Sequence, residues 1–194
     1  VSVEDALLVP AGCDSFALAA GLSITSWSSG GRDLDLDDLE TSSGPDSSLG
    51  EPRTYALEMA EGVEEDEDGR ARVTISCRGA VHQDAAAMQF SRENVANEIT
   101  GTVGDDGIYL SGDLPWLPSF DGALNTYDVT VITPPGWLPV TNGTVVSETE
   151  QDGMLHTVFS APEPADGITL IAQKYQRYAA TAGEDWMRTA LSDE

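Results

Sequence analysis

The sequence predicts an all-β fold: a curved, saddle-like antiparallel sheet or β-sandwich of short strands with little helix. Three observations carry that expectation. Residues 127–133 alternate strictly, with Tyr127, Val129, Val131 and Thr133 on one side and Asp128, Thr130 and Ile132 on the other. That is the period of a strand with one covered face. The 194 residues include 19 Gly and 10 Pro, enough turn punctuation to divide the chain into many short extended runs. No strand–helix alternation of the kind that builds parallel sheets recurs, and no repeat of about 20–50 residues is evident. Residues 1–178 read as a single antiparallel β domain.

Taken in order, residues 1–9 and 16–27 read as strands parted by a Pro10-Ala11-Gly12 turn. Val1 falls in mid-strand, so the natural start, with any targeting signal, is expected upstream. Ser28-Ser29-Gly30-Gly31 is a tight connection, since glycine accepts backbone angles closed to other residues. Asp33-Leu34-Asp35-Leu36-Asp37 alternates like a strand with leucines inward and carboxylates in water. Residues 41–52 are rich in Ser and Gly and read as a loop. Arg53–Met59 and Ala71–Arg78 are expected to pair as a hairpin about the acidic turn of residues 61–69. Residues 81–98 suggest a loop with a short helical turn, and Ile108–Leu110 a short strand. Pro134-Pro135-Gly136 stops the alternating strand because proline has no amide to donate. Thr144–Glu150 and Met154–Ser160 suit a hairpin about Asp152-Gly153. Residues 161–166 read as a proline-containing loop and Ile168–Tyr178 as the last strand. Trp116 and Trp137 each follow a strand or turn signal and are expected to close the ends of the β core.

Charge limits the partners. Thirty-four acidic residues stand against nine basic ones, a formal charge of −25, and Lys174 is the one lysine. Nucleic acid and anionic lipid both attract basic patches, so neither is an expected partner. An acidic, lysine-poor surface resembles the proteins of salt-loving organisms, a halophilic trait that speaks to habitat rather than activity. No run approaches the roughly 18 apolar residues of a membrane helix. An extracytoplasmic or cell-envelope location is favoured, without a signal in the chain to fix it. Cys13 and Cys77 are the two cysteines; they suit either one disulfide or two free thiols, and no thiol-redox spacing links them.

No catalytic, cofactor-binding or metal-ligating residue is nominated. Catalytic zinc needs three convergent ligands, and the two histidines, His82 and His156, are far apart with no His-Glu-x-x-His motif. Glu64-Glu65-Asp66-Glu67-Asp68-Gly69 resembles the start of a calcium loop, but the twelfth position, which needs a bidentate Glu, is Ile75. The sequence has no Gly-x-Ser-x-Gly elbow. Gly30-Gly31 precedes a strand pattern rather than the helix of a phosphate loop. Asn142-Gly143-Thr144 fits a glycosylation sequon, a match that short turns produce readily. Carboxylate pairs carry no diagnostic value in so acidic a chain.

The ordered strand and turn patterns nevertheless resemble a known family. Glu4–Pro10 followed by Phe16-Ala17-Leu18 and Gly21–Ile24 resembles the early hairpin of zinc aminopeptidase N-like (gluzincin) metallopeptidases. Gly107-Ile108-Tyr109-Leu110 leading to Trp116-Leu117-Pro118 is similar to their next segment. Tyr127–Val131 with Pro135-Gly136-Trp137, Val140 and Asn142-Gly143 resembles the strand and turn after it, and Ile168–Ala172 the strand that follows. The resemblance implies a non-catalytic N-terminal β domain from a divergent branch of that family. Such a domain would support a C-terminal peptidase-like domain and flank its substrate cleft. Residues 179–194 would then be a linker toward that catalytic domain, expected beyond Glu194. Zinc is implied for the parent protein, as is a peptide substrate; no cofactor is expected in these 194 residues themselves. Many relatives carry a Gln that holds the substrate amine. The equivalent place here reads Gly112-Asp113-Leu114-Pro115-Trp116, a departure from the pattern. The alternative is a stand-alone extracellular β-sandwich for adhesion or carbohydrate binding, which calls for exposed aromatics on one sheet face.

Overall fold

A computed structural model describes residues 2–10, 13–33, 35–36, 41–42, 52–57, 64–82, 99–120 and 122–176. These residues contain fourteen strands. They are β1 (Ser2–Pro10), β2 (Ser15–Leu18), β3 (Leu22–Ser29), β4 (Arg32–Asp33), β5 (Thr41–Ser42), β6 (Arg53–Ala56) and β7 (Arg70–Gly79). The second half adds β8 (Gly101–Gly104), β9 (Gly107–Leu110), β10 (Asn125–Thr133), β11 (Leu138–Thr141), β12 (Thr144–Gln151), β13 (Met154–Ala165) and β14 (Leu170–Gln173). They form four antiparallel sheets, β1-β7-β3-β4, β2-β6-β5, β10-β13-β12 and β11-β14-β9-β8, none closed into a barrel. The expected all-β antiparallel class is what the structure has.

Local chemistry accounts for the hairpins. Gly30 and Gly31 link β3 to β4 with φ of 57° and 77°, the left-handed pair that matches the twist of a two-residue turn. Asp152 and Gly153, at φ 52° and 75°, do the same between β12 and β13. On β10, Val131 and Thr133 are buried while Asp128, Thr130 and Ile132 are exposed, as the alternation predicts.

Several expectations need correction. β6 and β7 are not a hairpin: β6 pairs with β2 and β5, whereas β7 lies between β1 and β3. The 16–27 strand is two strands, broken at Ala19–Gly21, and they lie in different sheets. β1 pairs with β7 rather than with β2, so the early hairpin is absent too. Of the Asp33–Asp37 alternation, Asp33 ends β4 and Asp35 and Leu36 are not in a strand, while Leu34 and Asp37 lie outside the described residues. Leu36 is accordingly exposed. Thr41–Ser42, expected in a loop, is a short edge strand on β6. Ile168–Tyr178 shortens to Leu170–Gln173.

The proline-containing loop at 161–166 is instead the end of β13. β12 stops opposite Ser160, so Ala161–Ala165 has β10 as its strand neighbour. On a strand with one open flank the missing amides of Pro162 and Pro164 cost no ladder bond. Expectations for residues 11–12, 43–51, 58–63, 83–98 and 177–194 lie outside the described residues.

One apolar core joins all four sheets. At its centre Phe16 stacks between Trp27 (centroids 5.5 Å apart, planes 9° apart) and Tyr55 (5.4 Å, 16°). Phe120 tilts against the same ring at 6.0 Å. The inward side of β1 reads Val3, Asp5, Leu7, Val9, so a carboxyl stands among apolar neighbours, in register with fully buried Ile75. Burial raises the Asp5 pKa from 3.8 to about 6. Burial, reinforced by the Asp5 carboxylate, raises the neighbouring Cys77 thiol to about 11.

Both cysteines are free. Cys77 pairs with Val3 near the start of β1, while Cys13 follows its end at Pro10. Seven residues of strand separate those levels, about 23 Å, far beyond the roughly 7 Å that a disulfide spans between Cα atoms.

The charge of −25 makes a stability prediction. Self-repulsion opposes the compact state. Salt shortens its reach from about 10 Å at 0.1 M to about 3 Å at 1 M. The thermal midpoint should therefore rise as KCl is raised over that range. A midpoint that stays flat or falls would show that repulsion does not limit stability.

Candidate functional site

The corner between β9 and β10 is the best-organised irregular segment. Ser111 N donates to Thr100 O at 2.7 Å and Leu114 N to Ser111 O at 3.1 Å, which starts the turn. Asp113 is held beside it, its amide 3.2 Å from Ser111 Oγ. Gly112 N donates to Thr169 Oγ1 (3.0 Å), and Thr169 N to Asn142 Oδ1 (3.1 Å). Three distant stretches are thus tied at one point, and the Asn142 side chain of the sequon is engaged there. The descending half of the corner docks on β2: Ala17 and Ser119 exchange backbone bonds of 2.7 and 3.0 Å, and Ala19 N donates to Pro115 O.

Trp116 is the anchor. Its ring is buried, and its Nε1–H donates to Ile168 O at 2.8 Å. Replacing it with Phe keeps much of the ring but leaves that carbonyl unpaired, at a cost of about 1–3 kcal/mol. The urea midpoint of Trp116→Phe should drop accordingly; an unchanged midpoint would make the bond dispensable. Gly112 and Gly167 face each other so closely that a Cβ on Gly167 would collide with the Gly112 carbonyl, which requires glycine there.

A shallow depression with room for about one water molecule, open to solvent, lies against this corner, lined by Leu114, Trp116, Pro118, Tyr127, Asp166 and Ile168 among others. Its ionisable groups are few. The Tyr127 phenol is shifted up, mainly by burial and further by Asp5 and Asp166, against the lowering effect of its Asn125 bond. Asp166 is exposed.

The other candidates are scattered. His82 sits beside β8, its Nδ1 3.2 Å from Thr102 Oγ1, whereas His156 belongs to β13 in a different sheet. In the acidic turn, Asp66 Oδ1 accepts the amides of Asp68 (3.0 Å) and Arg70 (2.9 Å). Asp66 Oδ2 and Asp68 Oδ2 both pair with the Arg70 guanidinium, at 2.9 and 2.7 Å. Bonding to Arg70 holds the Asp66 carboxyl below its usual range. These oxygens close a turn rather than converge on a cation. Among the described residues, no three His, Cys, Asp or Glu side chains are grouped to hold a metal. Trp137 is half-buried, its carbonyl accepting from Thr133 Oγ1 at 3.0 Å. Trp27, not singled out in the sequence, is the deeply buried tryptophan of the aromatic stack.

No family model matches the sequence, and no curated protein matches it either. Solved structures do match in fold. The chain is similar to the M1 zinc metallopeptidase from Deinococcus radiodurans, at 17% identity and a TM-score of 0.61 over 89% of this chain. A mutant of that enzyme bound to a Tyr-Ser-Ala substrate aligns with a TM-score of 0.60 at 16% identity. A two-domain M1 zinc metallopeptidase mutant bound to L-tryptophan aligns with 0.59 at 15%. This chain spans only 37–38% of the length of those proteins. It therefore has the fold of one part of an M1 zinc metallopeptidase, the likeness that its strand and turn patterns implied.

Proposed function

We propose that this chain is the non-catalytic N-terminal β domain of an aminopeptidase-like zinc protein, bracing a peptidase domain that follows it and flanking the substrate cleft. One observation carries the reading. The fold likeness covers 89% of this chain but only about a third of the matched peptidases, 37%. Zinc would belong to ligands in the following domain. The described residues offer no donor set for it.

An adhesive or carbohydrate-binding module would stack sugars on exposed rings; Trp27 and Trp116 are buried and Trp137 is half-buried, which leaves Tyr109 and Tyr175 as the exposed aromatic rings among the described residues.

The test is expression of residues 1–194 alone and with the polypeptide encoded downstream, each assayed for bound zinc and for hydrolysis of aminoacyl-naphthylamides. Zinc and turnover are expected only with the downstream part. Turnover by residues 1–194 alone would overturn the non-catalytic role; an unrelated downstream domain would overturn the peptidase reading.

A further inference from the structure

Asn142 and Gly143 link β11 to β12, strands of two different sheets, and Thr144 opens β12. Asn142 and Thr144 are exposed, and Gly143 between them is half-buried. The Asn142 carboxamide has a fixed orientation. A backbone N–H can only donate, so the atom 3.1 Å from Thr169 N is the acceptor Oδ1, and Nδ2 takes no part in that bond. Among the described residues Nδ2 has no partner. The turn does not need that nitrogen. A carboxylate accepts a backbone amide at least as strongly as a carboxamide oxygen does, and the chain carries 34 acidic residues against four asparagines. Aspartate would therefore close the same bond. What asparagine adds is an amide nitrogen two residues before an exposed threonine hydroxyl, with no proline between them. Asn94, Asn97 and Asn125 do not begin such a triplet, since Ala96, Ile99 and Tyr127 stand where the hydroxyl is needed. The Gly143 amide, the group that could attack the carboxamide and expel its nitrogen, donates instead to Thr141 Oγ1 at 3.0 Å.

We infer that Asn142 is a modification site, glycosylated on Nδ2 by a transferase whose donor is a lipid-phosphate-linked oligosaccharide. Nδ2 bonds to the anomeric carbon of the donor as the bond from that carbon to the phosphate oxygen breaks. The phosphate leaves with the electron pair, and the amide gives up one of its two protons. The carbonyl is untouched, so Oδ1 keeps its bond to Thr169 and Thr169 keeps its bond to Gly112. Val145 and Val146 follow closely, 47% and 64% exposed. They lie within about 10–13 Å along the extended chain, so a sugar chain rooted at Asn142 covers apolar surface that the protein leaves open. Glycosylation at Asn142 does not depend on the peptidase reading; it requires export of the domain to where such a transferase works.

Mass spectrometry of the full-length protein, purified from the organism that encodes it, tests the site. Cleavage after glutamate releases residues 99–148, whose asparagines are Asn125 and Asn142. The expected result is a mass raised by whole sugar residues, with fragmentation placing the gain on Asn142. Thr144→Ala should abolish the gain and Thr144→Ser should keep it, because the hydroxyl is part of the acceptor pattern. Neither variant alters the Asn142 bond to Thr169. An unmodified Asn142, its conversion to aspartate, or a sugar that survives Thr144→Ala would overturn the inference. Labelling reads the cover. Cys13→Ser removes the half-buried thiol while Cys77 stays buried, and Val146→Cys in that background should react with maleimide several-fold more slowly than the same variant carrying Thr144→Ala. Equal rates would overturn the covering of Val146 and leave the site standing.

Discussion

Phe16→Ala should lower the unfolding free energy by about 3–5 kcal/mol, the range for removing a large buried aromatic side chain. Phe16 is 1% exposed and its ring touches three others, so truncation opens a cavity between Trp27 and Tyr55 and ends both stacked contacts. Those rings belong to β3 and β6, in different sheets, so the loss falls where two layers are joined. Domain stabilities are of order 5–15 kcal/mol, and the variant would retain only part of that. In urea the midpoint should fall with an unchanged slope, because the surface exposed on unfolding is nearly the same. Phe16→Leu, which refills much of the space, should recover a good share. A Phe16→Ala cost below about 1 kcal/mol would mean that the core collapses around the gap and that the stack contributes little.

Asp5→Asn should stabilise the protein at pH 7 by up to about 3 kcal/mol, the free-energy equivalent of moving a pKa from 3.8 to about 6. Asp5 binds its proton more tightly in the folded chain because burial disfavours the carboxylate. Below pH 3.8 the group is protonated in both states and imposes no penalty. Between 3.8 and about 6 the unfolded chain ionises first, so stability falls as pH rises; above 6 the full penalty remains. An isosteric amide removes the charge and with it that part of the pH dependence. Wild type and Asp5→Asn should therefore have similar stability near pH 3.5 and diverge toward pH 7. Parallel profiles across that window would show that the carboxyl is solvated after all.

The residues that made the fold legible are those whose structure is set by near neighbours. The Tyr127–Thr133 alternation became a strand with the expected sides because a two-residue period needs only one covered face. Asp152-Gly153 and Gly30-Gly31 made their turns because few other residues accept those angles. Strand partners were another matter. Nothing local in Arg53–Ala56 or Arg70–Gly79 says that they join different sheets, since pairing is decided by distant β1, β2 and β3. Pro162 and Pro164 looked like loop residues because proline is normally excluded from ladders, and only the early end of β12 makes them tolerable. The corner at 112–116 attracted notice as a departure from a family pattern. Its glycine contact and the Trp116 bond to Ile168 depend on a segment some fifty residues later, the separation being 52 for that bond.

The open end of β13 bears on how copies of this molecule meet. A bare strand flank is a template on which another chain can add, and the usual guards are proline, charge and an inward-pointing carboxyl. Pro162 and Pro164 deny two of five positions an amide. β12, an edge strand exposed along its whole length, carries Glu148 and Glu150. β1, the edge of its own sheet, turns Asp5 inward. Electrostatic repulsion alone keeps −25 copies apart only in dilute electrolyte. In concentrated brine, where that repulsion is screened, protection against fibre-like stacking falls to those prolines and to the inward carboxyl of Asp5.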